Sequence, residues 1–167
     1  MQIVKSLLTP SIKNGLQQAI EYELYQSNLW KHIANQLQRL GLFGGQKYFL
    51  AESAEELTHY QILVNGINDF GDVADVPKID AIKDKIESLD DALTIGYEME
   101  VEVYKFYKKL YSTIEEEDCA VAQFILQFIE IQRKAVGDYG DLISRYEIAK
   151  KTQEILEFDE YLGELVK

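Results

Sequence analysis

Apolar residues recur at intervals of three and four positions along most of the chain, which is the spacing of amphipathic α-helices. The pattern predicts four long helices: Pro10 to about Leu40, about Gln46 to Phe70, Ser88 to about Ile114, and Asp118 to about Ile148. A short fifth helix is predicted near Thr152 to Leu165. Because no segment shows the two-residue alternation of strands, we expect an all-α protein that forms a single domain over residues 1–167.

The lengths of the connections predict how these helices are arranged. Short connections, one rich in glycine and one acidic, join the first helix to the second and the third to the fourth, so each pair should be antiparallel. A helix of about 28 residues is about 42 Å long, whereas the connection from Gly71 to Ser88 can reach about 56 Å when extended. That connection can cross the whole bundle, which predicts a four-helix bundle with one long crossover.

Each predicted helix carries a polar group near the middle of its apolar seam, the line of residues that faces the other helices. These groups are Glu23, Glu56 with His59, Glu100, and Gln132. A carboxylate in an apolar core costs several kcal/mol unless it is paired or binds a metal. Since no Lys or Arg lies on the four seams, a divalent cation is the expected counter-charge.

Glu56 and His59 stand three positions apart, so both side chains lie on one helix face. This Glu-x-x-His element, with carboxylate and imidazole ligands, suits iron, manganese or zinc. The motif alone is common by chance, and the agreement of four seams at one level is the more specific signal. The alternatives are that Glu23 or Glu100 lies on the surface and that His59 is a core histidine bonded to a carbonyl.

The remaining polar residues near the seams are expected to lie outside the site. Glu52 falls on the seam of the second helix but is expected to face outward at a loosely packed end, and we do not predict it as a ligand. His32 lies two positions past the seam and is expected to face solvent. Glu98 and Glu102 flank Glu100 by two positions and should point away from the seam.

The charge and the cysteine content narrow the classes of function. The formal net charge of −12 disfavours nucleic acid as a partner and attracts cations, although it also serves plain solubility. The single cysteine, Cys119, has no internal disulfide partner, which fits a reducing compartment. No apolar run approaches the roughly 20 residues of a membrane span. We therefore expect a cytoplasmic protein that does not bind membranes.

Four segments resemble the non-haem bacterial ferritins, and the resemblance extends over nearly the whole chain. The segments are Glu21–Tyr25, Glu55–His59, Tyr97–Glu100 and Phe124–Gln132. The resemblance implies a ferroxidase centre in which Glu23, Glu56 and His59 hold a first iron and Glu56 bridges to a second. Glu100 would hold the second iron, with Gln132 as a ligand or a hydrogen-bonding neighbour.

The same resemblance implies a ferritin-like fold and an iron-storage function. A di-iron centre would oxidise Fe(II) with O2 or peroxide, and Fe(III) would be stored as a mineral inside a shell of 24 identical subunits. Thr58 stands where a haem-binding bacterioferritin would have methionine, so no haem is expected. The apolar stripe of the fifth helix would pack at a symmetry axis of the shell, or on its own subunit.

Several positions depart from the family pattern. Trp30 replaces the usual tyrosine seven residues after the first glutamate. Ile131, Lys134 and Ala135 replace carboxylates that form a third iron site in some bacterial ferritins, and Glu55 remains from it. These departures keep open a metal-binding or structural cage with weak or no ferroxidase activity. A small DNA-protecting cage is a third alternative, disfavoured by the acidic charge and the missing basic tail.

Overall fold

The computed structural model describes residues 5–166, and in that range it contains five α-helices and no strand. They are α1 (Pro10–Arg39), α2 (Phe43–Asp69), α3 (Leu89–Ile114), α4 (Cys119–Thr152) and α5 (Ile155–Leu165). The prediction of an all-α four-helix bundle with a short fifth helix is confirmed. Residues 1–4 and 167 of the expected domain lie outside the described residues.

Side-chain caps begin three of the helices at the predicted positions. Thr9 accepts a hydrogen bond from the backbone N–H of Ile12 at 3.3 Å, and Pro10 follows at the first helical position. Ser88 caps α3 through the N–H of Asp91, and Asp118 caps α4 through two backbone N–H groups. These polar side chains satisfy donors that a helix start leaves unpaired.

The long connection between α2 and α3 runs along α1 from its first turns to its last. Near the start of α1, the Gln17 side chain exchanges hydrogen bonds with the backbone of Asp75 at 2.6 and 3.0 Å. Near its end, Gln36 donates to the carbonyl of Asp84 at 2.9 Å and accepts from the N–H of Ile86. The crossover therefore spans the bundle and leaves α2 and α3 parallel, as predicted.

The predicted start of α2 near Gln46 is wrong, because the helix already begins at Phe43. Gly44 and Gly45 were expected to break the helix, but they form its first turn and donate their N–H groups to the Asp159 carboxylate at 2.9 and 2.7 Å. A Cβ on Gly44 would lie 1.7 Å from the Asp159 carbonyl oxygen. Glycine is needed here because α5 approaches the backbone, and Asp159 supplies the cap that α2 lacks locally.

The end of α4 also differs from the prediction. The helix continues past Ile148 to Thr152 and ends at Gln153, whose φ of 63° is left-handed. The helix α5 packs on its own subunit against α2 and α4, burying Phe158 and Leu162, and thus shows the second of the two arrangements considered for it. Leu156 on the same helix stays 66% exposed.

The described helices include none that combines the length and the apolar character needed to cross a membrane. The core fills the space between the four long helices, and its largest fully buried side chains include Trp30, Tyr107 and Tyr139. The polar residues of the predicted site lie inside this core.

Candidate metal centre

All five predicted site residues lie in the core of the bundle, at one level along its axis. Glu23, Glu56, His59, Glu100 and Gln132 are between 0 and 7% exposed. Glu98 and Glu102 are exposed, as predicted from their positions beside the seam. Since no Lys or Arg is buried in the part of the chain described, the carboxylates have no fixed cationic partner apart from the histidine.

Glu23, Glu56 and His59 form the tightest group. Each offers one ligand atom, and the three atoms lie within 4.8 Å of one another. The Nδ1 atom of His59 lies 2.8 Å from Oε2 of Glu56 and 3.4 Å from Oε2 of Glu23. The i, i+3 spacing on α2 and the facing position on α1 thus bring together the three residues predicted for a first metal.

The protonation of this group follows from its burial and its charges. Burial by itself lowers the pKa of His59, but the adjacent Glu23 and Glu56 carboxylates outweigh it and raise that pKa to about 10. Burial raises the pKa of Glu23 to about 7, against the opposing effect of His59. A protonated His59 therefore supplies positive charge between the two carboxylates, in the position where a metal would supply it.

Two aromatic side chains donate hydrogen bonds to these carboxylates, and the spacing along the helices predicts neither bond. The indole N–H of Trp30 donates to Oε1 of Glu56 at 3.2 Å. The Tyr107 hydroxyl donates to Oε1 of Glu23. Trp30 lacks the hydroxyl of the usual tyrosine, but its N–H still provides a donor to the carboxylate.

Glu100 and Gln132 lie outside the three-residue group and are less well satisfied. Oε2 of Glu100 and Oε1 of Gln132 are buried and have no hydrogen-bond partner among the described residues. Burial, followed by the charges of Glu56 and Glu52, raises the pKa of Glu100 well above its usual range. Gln26 is also fully buried on α1, although it does not lie on the predicted seam. Its position one turn after Glu23 is the signal that could have found it.

A cavity of about 200 Å³ leads to the site between α2 and α4, and Glu56, His59, Glu100 and Gln132 all line it. Glu52 lines this cavity too and is half-buried, so the expectation that it faces outward is wrong. Burial, with the charges of Glu55 and Glu56, raises the pKa of Glu52 to about 8. Glu52 was not predicted as a site residue because its end of α2 was expected to be loosely packed. In the structure, Tyr48 and Tyr139 line the same cavity and enclose it.

The positions that hold a third iron in some bacterial ferritins, by the resemblance described above, also line the cavity. Lys134 forms an ion pair with Asp138, and Glu55 and Ile131 lie around the same opening. His32, expected to face solvent, is instead half-buried against the crossover, where its Nε2 lies 2.7 Å from the carbonyl oxygen of Asp84. It takes no part in the site.

Aromatic rings pack above and below the buried polar residues along the bundle axis. Toward the end of α1, Trp30 stacks on Tyr139 with ring centroids 6.0 Å apart and also contacts Phe49. On the other side, Tyr107 stacks on Phe128 at 5.1 Å. This packing excludes water and raises the cost of leaving the carboxylates uncompensated.

The donor set fits a metal with a preference for oxygen and imidazole ligands. Three carboxylates, one imidazole and one amide oxygen face one another in a dry core, and several of their oxygen atoms lack partners. Iron and manganese accept such mixed ligands, as zinc also does. In the di-iron carboxylate bundles two helices each supply a Glu-x-x-His element, whereas this chain has one, on α2, and has Gln132 and Ala135 at that spacing on α4.

Comparison with known proteins shows the family of this chain. The family model of the ferritin-like domain matches residues 13–149, which include all four long helices of the bundle almost entirely. The chain belongs to the ferritin-like family. A curated relative from Haemophilus influenzae, described as a probable bacterial non-heme ferritin-like protein, is 24% identical over 140 residues and covers 83% of this chain and 85% of its own.

Solved structures share the fold of this ferritin-like protein at low sequence identity. A novel open pore ferritin from Archaeoglobus fulgidus aligns with a TM-score of 0.89 and 20% identity over 93% of this chain and 97% of its own. The Chlorobium tepidum ferritin aligns with a TM-score of 0.84 and 20% identity, covering 93% and 97%. These two structures confirm the ferritin-like bundle, including its crossover.

Proposed function

We propose that this ferritin-like protein is an iron-storage ferritin that oxidises Fe(II) at a di-iron ferroxidase centre between its helices. The observation that supports the proposal most directly is the buried group of Glu23, Glu56 and His59, with ligand atoms within 4.8 Å of one another. A buried carboxylate pair held by one histidine is costly, and an incoming cation would compensate it.

Each residue has a role in this proposal. Glu23 and His59 would hold the first Fe(II), and Glu56 would contribute to both iron subsites. Glu100 and Gln132 face the second. The Trp30 N–H and the Tyr107 hydroxyl hold the Glu56 and Glu23 carboxylates in place, and the aromatic rings limit access of water.

The reaction needs two electrons, which a pair of Fe(II) ions can supply. With O2 as oxidant, each Fe(II) gives up one electron, and O2 with two protons becomes hydrogen peroxide. With peroxide as oxidant, the same two electrons and two protons give two molecules of water. The closeness of the two subsites allows one oxidant molecule to take both electrons.

Storage implies an assembly of subunits around a cavity, which we place in the cytoplasm. Fe(III) produced at the centre would pass to a mineral core inside a shell of identical subunits, 24 by likeness to the family. The two solved structures that share the fold are ferritins by their own descriptions. No haem, nucleic acid or membrane takes part in the proposed activity.

The alternative is a ferritin-like cage that binds metal with weak or no ferroxidase activity. Lys134 at the cavity opening favours it, because an ammonium there reduces the attraction of Glu52 and Glu55 for incoming cations. Aerobic oxidation of Fe(II), followed by absorbance of Fe(III), separates the two. We expect oxidation by the wild type well above buffer and by Glu23→Ala close to buffer, with the exposed Glu98→Ala as a control that keeps the wild-type rate.

The ferroxidase proposal fails if the wild type and Glu23→Ala oxidise iron no faster than buffer. Sizing of the same preparation, read together with its bound iron, tests the assembly. A particle of one or two subunits that retains no iron would contradict the storage function.

A further inference from the structure

Gln26 is an anomaly in the core of the bundle. Its side chain is 0% exposed, and neither its amide oxygen nor its amide nitrogen has a hydrogen-bond partner in residues 5–166. Buried polar groups are nearly always paired, because an amide that loses water without gaining a partner destabilises the fold. A leucine would fill this position on α1 without that cost. The presence of glutamine therefore calls for a ligand that reaches its amide.

The surroundings of Gln26 identify the kind of ligand. It lies one helical turn after Glu23 and so faces the same interior. Its amide is close enough to Glu100 to favour the ionised carboxylate, although no pair of atoms between the two side chains meets hydrogen-bond geometry. Oε2 of Glu100 and Oε1 of Gln132 are likewise buried without a partner. Three helices, α1, α3 and α4, thus each contribute one side chain with an unsatisfied oxygen. Three inward-facing oxygen donors, one of them a carboxylate, are what a hard cation binds.

We propose that the amide oxygen of Gln26 is a ligand of the second iron subsite, together with Glu100 and Gln132. The inference rests on the proposed di-iron function and adds to it a residue that neither the family resemblance nor the Glu-x-x-His pattern indicates. Glu23, Glu56 and His59 form the first iron subsite on α1 and α2, whereas Gln26 belongs to the second subsite.

The two subsites then differ in charge, which bears on how iron moves. The first has two carboxylates and an imidazole, while the second has the Glu100 carboxylate, two neutral amides and a share of Glu56. Because the ligands of the second subsite carry fewer negative charges, they hold a cation less tightly. An iron bound mainly by amide oxygens leaves easily, as the transfer of Fe(III) to a store requires.

Anaerobic calorimetric titration of the apo protein with Fe(II) tests this assignment. We expect two Fe(II) per subunit for the wild type. In Gln26→Leu the first binding event should be unchanged, and the second should weaken by about tenfold or more, in the range seen when groups around a metal are removed. Gln38→Leu, an exposed change of the same type on α1, should bind both ions as the wild type does.

Thermal unfolding of the apo forms distinguishes a ligand from a structural residue. If Gln26 has no protein partner, Gln26→Leu should raise the apo melting temperature by about 2–4 °C. A structural amide would give the opposite sign. Gln26→Glu keeps an oxygen ligand and should retain both binding events, with a less stable apo form because it adds a buried charge.

The outcomes separate the inference from the function on which it rests. Fewer than two Fe(II) per wild-type subunit would overturn both. Two events of wild-type affinity in Gln26→Leu would overturn the Gln26 assignment alone, as would a lower apo melting temperature or failure to fold. Loss of the second event in Gln26→Glu would also count against an oxygen ligand at this position.

Discussion

The indole Nε1 of Trp30 donates a hydrogen bond to Oε1 of Glu56 over 3.2 Å, inside a core where both residues are buried. The other carboxylate oxygen of Glu56 contacts Nδ1 of His59 at 2.8 Å. The two contacts fix the rotation of the carboxylate that we propose to bridge the metals. A hydrogen bond between a donor and a charged group in a dry site is stronger than one in water.

Replacing Trp30 by phenylalanine should therefore weaken metal binding as well as stability. Trp30→Phe removes the N–H and part of the ring, so we expect a loss of about 2–4 kcal/mol in the free energy of unfolding and a Fe(II) affinity at least several-fold lower. Chemical denaturation and anaerobic titration measure the two effects. Phe49→Leu is the matched control, because Phe49 packs against Trp30 without a polar contact to the site. Equal metal affinity in Trp30→Phe and wild type would contradict the role of the N–H.

The hydroxyl groups of two buried tyrosines allow a paired test of the contact to Glu23. Tyr107 donates to Glu23, whereas the Tyr139 hydroxyl has no partner among the described side chains and backbone groups. Tyr107→Phe should cost about 1–3 kcal/mol of stability and weaken metal binding, while Tyr139→Phe should be neutral or slightly stabilising. Denaturant unfolding of both variants checks this. Equal losses would show that the hydroxyl of Tyr107 does not matter for Glu23.

Much of the fold could be predicted from the sequence because local signals agreed with the helical period. The helices that begin after Thr9, Ser88 and Asp118 start close to the predicted positions, and the 71–88 connection is long enough to cross the bundle. The start of α2 was predicted wrongly because Gly44 and Gly45 were interpreted by their helix-breaking tendency. Their actual role depends on Asp159, more than a hundred residues away, which no local pattern contains.

The site residues likewise divide into those predicted by helical spacing and those that depend on contacts between helices. Glu23, Glu56, His59, Glu100 and Gln132 follow from the heptad-like seam, which places each at the middle of its helix. Gln26 depends on how wide the buried face of α1 is, and that width is set by the neighbouring helices. Glu52 lies on the seam of α2, but its burial depends on Tyr48 and Tyr139, which line the same cavity. The donors Trp30 and Tyr107 depend on side-chain rotation between helices, which spacing along one helix does not specify.

The pKa shifts at the site predict that the apo protein loses stability as the pH rises. Glu23 and Glu52, with pKa values of about 7 and 8, and His59, with a pKa of about 10, all hold protons more tightly when folded than their ordinary values allow. For a raised folded pKa, the stabilising contribution is complete below the unfolded pKa and is lost as the pH passes the folded pKa. For the carboxyl groups that window lies between about pH 4.5 and 8, and for His59 between about 6.5 and 10.

Melting of the apo protein at pH 6 and pH 9 checks the sign. The apo melting temperature should be higher at pH 6, and Fe(II) added anaerobically at pH 7 should displace protons, so its affinity should rise with pH. Glu52→Gln removes one of the titrating groups and should flatten the apo profile between pH 6 and 8, while the exposed Glu98→Gln leaves it unchanged. An apo protein that gains stability from pH 6 to 9 would contradict the assignment.

Lys134 should slow the entry of cations into the cavity. Its ammonium pairs with Asp138, and this hydrogen bond raises its pKa, so the charge persists at neutral pH beside Glu52 and Glu55. Lys134→Gln should therefore bind Fe(II) faster at low ionic strength, with a difference that shrinks in 1 M salt, where charges are screened within about 3 Å. Stability should change by less than about 0.5 kcal/mol, since the ion pair is largely exposed.

Stopped-flow mixing under anaerobic conditions measures the rate, and Lys109→Gln on α3 makes the same charge change away from the cavity. If both variants show the same rate, the effect belongs to the net charge of the protein and not to the opening of the site.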